Sequence, residues 1–141
     1  MIEATAVTGM VIASSPINEY DRRVVLLTKE RGKITAFARG ARRQYSPMLA
    51  STQLFAFGTF RVIEGRNAYT LTGAEITNYF EIIPRDPMKA CYGSYFLEMA
   101  GYYARENNNE VELLKLLYQT LRILCRDVVP YPLIRVIFEL R

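Results

Sequence analysis

Between Tyr20 and Arg39 the chain reads YDRRVVLLTKERGKITAFAR, and this stretch limits the fold more than any other. In KITAFAR, Ile34, Ala36 and Ala38 alternate with Lys33, Thr35, Phe37 and Arg39, the period of a strand with one buried face. The VVLLT segment before it is apolar on both faces, as in a barrel strand whose outer side is partly covered. KERG with Gly32 joins the two as a turn. Three further β-patterned runs, Glu3–Ala13, Leu54–Glu64 and Ala68–Ile76, are separated by the loop-forming SSPINEY, the arginine-rich segment after Arg39, and Gly65–Asn67. Five short strands in under 80 residues predict a small closed barrel, because closure removes the exposed edges. An OB-fold is the leading expectation and an SH3-like barrel the second. Periodicity alone does not separate them.

The period changes at Asp86-Pro87, which reads as an N-cap followed by proline at the first helical position. Met88, Tyr92, Tyr95, Phe96, Met99, Tyr102 and Tyr103 then recur at helical spacing, more in keeping with core packing than with an aromatic binding stripe. ENNN closes that helix. Asn109 with Glu112 reads as a capping box for a second, with Leu113, Leu114, Leu117, Leu121 and Leu124 as its buried stripe. A third begins at Tyr131-Pro132 and is apolar almost all round. It therefore needs a neighbouring surface, from another chain or from a continuation of this one. The expected class is α+β: a barrel over 1–80, followed over 81–141 by the first helices of an incomplete helical domain.

Charge then gives the barrel a side. Residues 1–80 hold ten cations against six carboxylates, whereas 81–141 balance at eight against eight. Arg22, Arg23, Lys29, Arg31, Lys33, Arg39, Arg42 and Arg43 fall in one stretch with Glu30 the only glutamate among them, a patch of the sign that attracts polyanions. Cations alternating with Phe37 on one strand face suit phosphates and a stacked base together. Gly40 lets the backbone approach a ligand, and arginine forks match phosphate oxygens. A solvated charged face with a chance phenylalanine is the plain alternative. Tyr45, beside Pro47, either offers a second stacking ring or packs on the barrel mouth, the commoner use.

Catalysis lacks its materials. The chain has no histidine, no GxxxxGK[ST] and no GxGxxG, so neither a catalytic cofactor nor a metal is expected. Cys91 and Cys125 have no metal-ligand spacing and read as buried, reduced thiols. No apolar run approaches a membrane span and the start has no basic leader, which together point to the cytoplasm.

The segments TKERGKITAFARGARR, SPMLASTQLFAFG, DPMKACYGSYFLEMA and FELR, in that order, resemble the bacterial RecO family of recombination mediators. The resemblance implies an OB-fold over 1–80 and a helical domain after it. It also implies binding to single- and double-stranded DNA, annealing without nucleotide, contact with single-strand binding protein, and work with RecR to load RecA, at the nucleoid. The family's DNA-binding face corresponds here to Lys33 and Arg39, with Arg42 and Arg43 beside them. Phe37, Arg22, Arg23, Lys29 and Arg31 complete the candidate set. Family members usually continue beyond an FELR-like segment, many with a four-cysteine zinc site that has no counterpart in these residues. Two readings from other classes stay open at this point: an adaptor whose basic face binds an acidic protein segment, and an RNA binder.

Overall fold

The computed structural model describes residues 4–105 and 108–140. Five strands, β1 (Thr5–Ile17), β2 (Asp21–Thr28), β3 (Gly32–Ala38), β4 (Phe57–Glu64) and β5 (Tyr69–Asn78), close into a barrel in the order β1-β2-β3-β5-β4. β1 makes the closure possible. Its first half pairs with β4 and its second half with β2, with a bulge between Val11 and Ala13 where it turns from one partner to the other. β3 and β5 meet in parallel, Ala36 opposite Tyr69 and Phe37 opposite Thr70, and this contact makes the barrel OB-like.

Two strand boundaries differ from the sequence reading by three or more residues. β1 runs on through Ser14, Ser15 and Pro16, because the bulge re-aims the strand along β2 and Pro16 falls near its end, opposite Arg22. The turn shrinks to Asn18–Tyr20, with Asn18 left-handed at φ 55. β4 begins at Phe57 rather than Leu54. Residues 48–55 are wound into successive turns, and Phe55, at φ 76, donates its N–H to the Val11 carbonyl. Glu3, Glu106, Asn107 and Arg141, on which parts of the expected first strand, ENNN and FELR fall, lie outside the described residues.

The helices are α1 (Ile82–Arg85), α2 (Pro87–Tyr103), α3 (Val111–Arg126) and α4 (Tyr131–Glu139). Asp86 caps α2 as its sequence implies, its Oδ1 accepting from Met88 N at 2.9 Å and Lys89 N at 3.3 Å. The fully buried seam of α2 only partly follows the expected stripe, whose Phe96 is buried and whose Tyr92, Tyr95 and Met99 pack partly buried against the core. It consists of Lys89, Gly93, Phe96, Leu97 and Ala100, while Met88, Tyr102 and Tyr103 are exposed. Bulky apolar groups surround this helix, so their spacing could not tell which side turns inward. Small residues decide it, because they let Phe55 and Ile83 approach Gly93. α3 buries Leu114, Leu117, Leu121 and Leu124 as expected, with Leu113 partly buried. Its capping box does not form. The N-cap is Glu110, whose carboxylate instead accepts from Arg105 N at 2.8 Å, and Asn109 Oδ1 accepts from Val111 N at 3.2 Å. Cys91 is exposed rather than buried and Cys125 is half-buried, both free thiols.

Two cores result. Val24, Leu26, Ile34, Ala36, Phe60 and Leu71 fill the barrel. Met10, Ile12 and Leu27 point out of the same strands into a second core with Phe96, Leu117, Leu121 and Phe138, which explains why VVLLT is apolar on both faces. Lys89, 4% exposed, fastens the far end of the helices by donating to Asp127 Oδ2 at 2.8 Å; Tyr131 donates to the other oxygen. Hydrogen bonding to Asp127 raises the Lys89 pKa well above its ordinary value.

On α4, Ile134 and Phe138 turn inward, whereas Leu133, Val136, Ile137 and Leu140 are exposed. The 141-residue chain is expected to bind a hydrophobic dye and to associate at high concentration. Val136→Glu combined with Ile137→Glu should suppress both. Dye fluorescence and light scattering check this, and a dye-negative monomer would refute it.

Candidate nucleic-acid interface

Strand register sets the candidate residues in rows around the barrel. Arg23 stands opposite Phe37 and Phe37 opposite Thr70, so an exposed guanidinium, an aromatic ring and a hydroxyl lie side by side on three strands. Phe37 keeps 38% of its surface accessible. Arg39 leaves β3 next to it, and the chain then turns at Gly40, whose φ of 70 is left-handed.

The arginine turn that follows is pinned to the β1–β2 turn. Arg42 N donates to the Tyr20 carbonyl at 2.8 Å, Gly40 N to Asp21 Oδ1 at 2.7 Å, and Arg42 Nη1 to the Asn18 carbonyl at 3.0 Å. The Arg43 guanidinium lies 4.2 Å above the Tyr20 ring. The Gly40 hydrogen bond, then that from Asn18, hold the Asp21 carboxyl below its ordinary pKa, with the charges of Arg39 and Arg43 adding to the effect. Among the described residues no carboxylate comes within 4.0 Å of the Arg23, Arg39, Arg42 or Arg43 guanidinium. Each guanidinium has five N–H donors, so even the two that touch the β1–β2 turn keep donors to offer. Four cations and one ring thus converge on one end of the β2–β3 face, an arrangement that can hold phosphates and stack a planar ring.

The remaining candidates lie elsewhere. Lys33 shares the outward row of β3 with Phe37, but four residues apart means about 13 Å along a strand. Its Nζ donates to the Gly101 carbonyl at 2.8 Å and so faces the helices. Arg31 spends its guanidinium on Glu64 and the Tyr69 hydroxyl, each at 3.2 Å, and these bonds, that of Tyr69 foremost, raise its pKa. Arg22 falls on the inward-facing row at the barrel mouth, where Nη1 donates to Ser14 Oγ at 3.0 Å. Lys29 is exposed in the β2–β3 turn. Tyr45 does not pack on the barrel mouth: it is 89% exposed, lifted away by a turn in which its own φ is 67. Arg66, which charge clustering does not single out, is exposed in the β4–β5 turn. OB-folds bind oligonucleotides with the strand 2–3 face and this turn, so only the topology makes it a candidate.

Among the described residues no three histidine, cysteine or carboxylate side chains gather as metal ligands, and no helix is long and apolar enough to cross a membrane.

The family model described as recombination protein O N terminal matches residues 1–80, and that described as recombination protein O C terminal matches 84–141. The chain is 32% identical over 133 residues to the DNA repair protein RecO of Alkaliphilus metalliredigens, covering 94% of this chain and 54% of that protein. It is 34% identical over 133 residues to the DNA repair protein RecO of Halalkalibacterium halodurans, covering 94% and 52%. For that of Acetivibrio thermocellus the identity is 32% over 135 residues, covering 95% and 53%. The chain thus spans about half the length of the curated relatives it matches. With both family models matching in order along an OB-like barrel and the helices after it, the chain belongs to the RecO family.

Proposed function

We propose that this chain is the DNA-binding part of a non-enzymatic mediator of DNA repair and recombination. Residues 1–80 form the binding domain and 81–141 begin a helical domain. The barrel face binds single- and double-stranded DNA, promotes annealing of complementary strands, and helps place RecA on DNA coated by single-strand binding protein, together with RecR, in the cytoplasm at the nucleoid. The observation that carries this reading is the placement of Arg23 and Arg39 beside Phe37 at one end of the β2–β3 face, with Arg42 and Arg43 held on the adjoining β1–β2 turn.

If each of these four arginines neutralises one phosphate, single-strand affinity should fall with salt at a log–log slope of roughly −3, about −0.7 per contact. Arg39→Ala should flatten the slope by nearly one contact and weaken binding about equally for unrelated sequences, since phosphate contacts carry no base information. Gel shifts across a salt series measure both. An Arg39→Ala protein with the parent's affinity and slope would remove the main support for DNA binding. An acidic peptide that binds as tightly as DNA would favour the adaptor instead.

A further inference from the structure

The β1–β2 turn and the end of β3 enclose a cleft of about 470 Å³ lined by Ile17, Asn18, Asp21, Phe37, Arg39 and Thr70. A carboxylate is out of place on a surface that only attracts polyanions, because Asp21 repels any phosphate that approaches Arg39 or Arg43. Pinning the Gly40 N–H does not require one, since the amide oxygen of an asparagine would serve. Asp21 gives that N–H one oxygen at 2.7 Å, and its other oxygen receives only the longer contact from Asn18 Nδ2 at 3.3 Å. A carboxylate accepts about four hydrogen bonds, so acceptor capacity remains inside the cleft. An aromatic wall, an ionised acceptor and the Arg39 donors therefore share one cleft.

Building on the reading that this barrel face binds DNA, the geometry points to a pocket for one unpaired nucleobase. Its ring lies against Phe37 and its exocyclic amino group donates to Asp21, so the site favours cytosine, adenine and guanine over thymine. Thymine has a single donor on its pairing edge, N3–H, set between two carbonyl oxygens that an ionised carboxylate repels. In a duplex the base is stacked and paired, so the preference belongs to unpaired DNA.

The test titrates the parent chain and Asp21→Asn with short oligomers of deoxycytidine, thymidine and deoxyuridine at neutral pH and one salt concentration. The uridine oligomer separates the missing amino group from the thymine methyl. The parent should bind the cytidine oligomer about tenfold more tightly than either of the others. Asp21→Asn keeps an acceptor for Gly40 but turns the second one into a donor, which suits the thymine carbonyl. It should bring the affinities for cytidine and thymidine oligomers together. Equal affinities in the parent, or an unchanged ratio in a variant that melts like the parent, would overturn the pocket while leaving DNA binding in place. Should the variant melt early, the parent's three affinities decide alone. No binding to any oligomer would overturn the pocket together with the reading beneath it.

Discussion

Gly32→Ala is expected to destabilise the folded chain by about 3 kcal/mol or more, a large share of a small domain's stability. Two costs combine. Gly32 holds a φ of 66, where an L side chain crowds its own backbone. An added Cβ would also lie 2.3 Å from the Arg105 carbonyl oxygen and 2.8 Å from that of Asn108, both backbone atoms that cannot swing aside. The β2–β3 turn would have to lift off the α2–α3 connection, straining the bond from Lys33 N to the Arg105 carbonyl and that from Lys33 Nζ to Gly101. Gly40→Ala is the control. Its φ is nearly the same at 70, but the nearest atom to an added Cβ is 3.5 Å away on the flexible Arg43 side chain. It should cost about 1–2 kcal/mol, the backbone share alone. Urea denaturation of both variants measures the difference, and equal losses would show that the docking of the turn contributes nothing.

Phe37→Ala is expected to cost about 1–3 kcal/mol of affinity for single-stranded DNA while leaving the salt slope almost unchanged. The ring carries no charge, so removing it releases no counterions. Duplex binding should suffer less, because duplex bases already stack on one another. Phe37 points out of the barrel beside Arg23 and Thr70, but most of its surface is covered, so a modest fall in melting temperature is expected and affinities are compared on the folded protein. Binding isotherms for both DNA forms, paired with a melt, check this. Unchanged single-strand affinity would mean that the ring is only part of the barrel's outer surface.

The barrel was legible in the sequence because its signals are local. Alternation in KITAFAR gives the inward row of Ile34, Ala36 and Ala38, and the two-sided VVLLT gives the covered outer face. Strand order was not legible, since the parallel contact of β3 with β5 joins residues more than 30 positions apart and leaves no periodic trace. α2 was legible in extent but not in orientation, because Gly93 and Ala100 define its seam by what they lack. The candidate site was half legible. Arg39, Arg42, Arg43, Phe37 and Arg23 do gather, but alternation could not show that Lys33 meets the helices or that Arg31 meets Glu64 and Tyr69. Long cationic side chains reach whichever acceptor tertiary structure brings near.

The pinning of the arginine turn onto Asn18, Tyr20 and Asp21 bears on how fast a polyanion is captured. A slack loop would have to be ordered during each encounter, and the entropy of that ordering would slow productive capture. Here the ordering is completed when the chain folds. On the proposed function, a colliding DNA strand meets the Arg42 and Arg43 guanidinium groups already in place, and association should be single-phase, steered by charge and slowed by added salt. Affinity changes from substitutions that leave the turn pinned should surface mainly as changes in residence time.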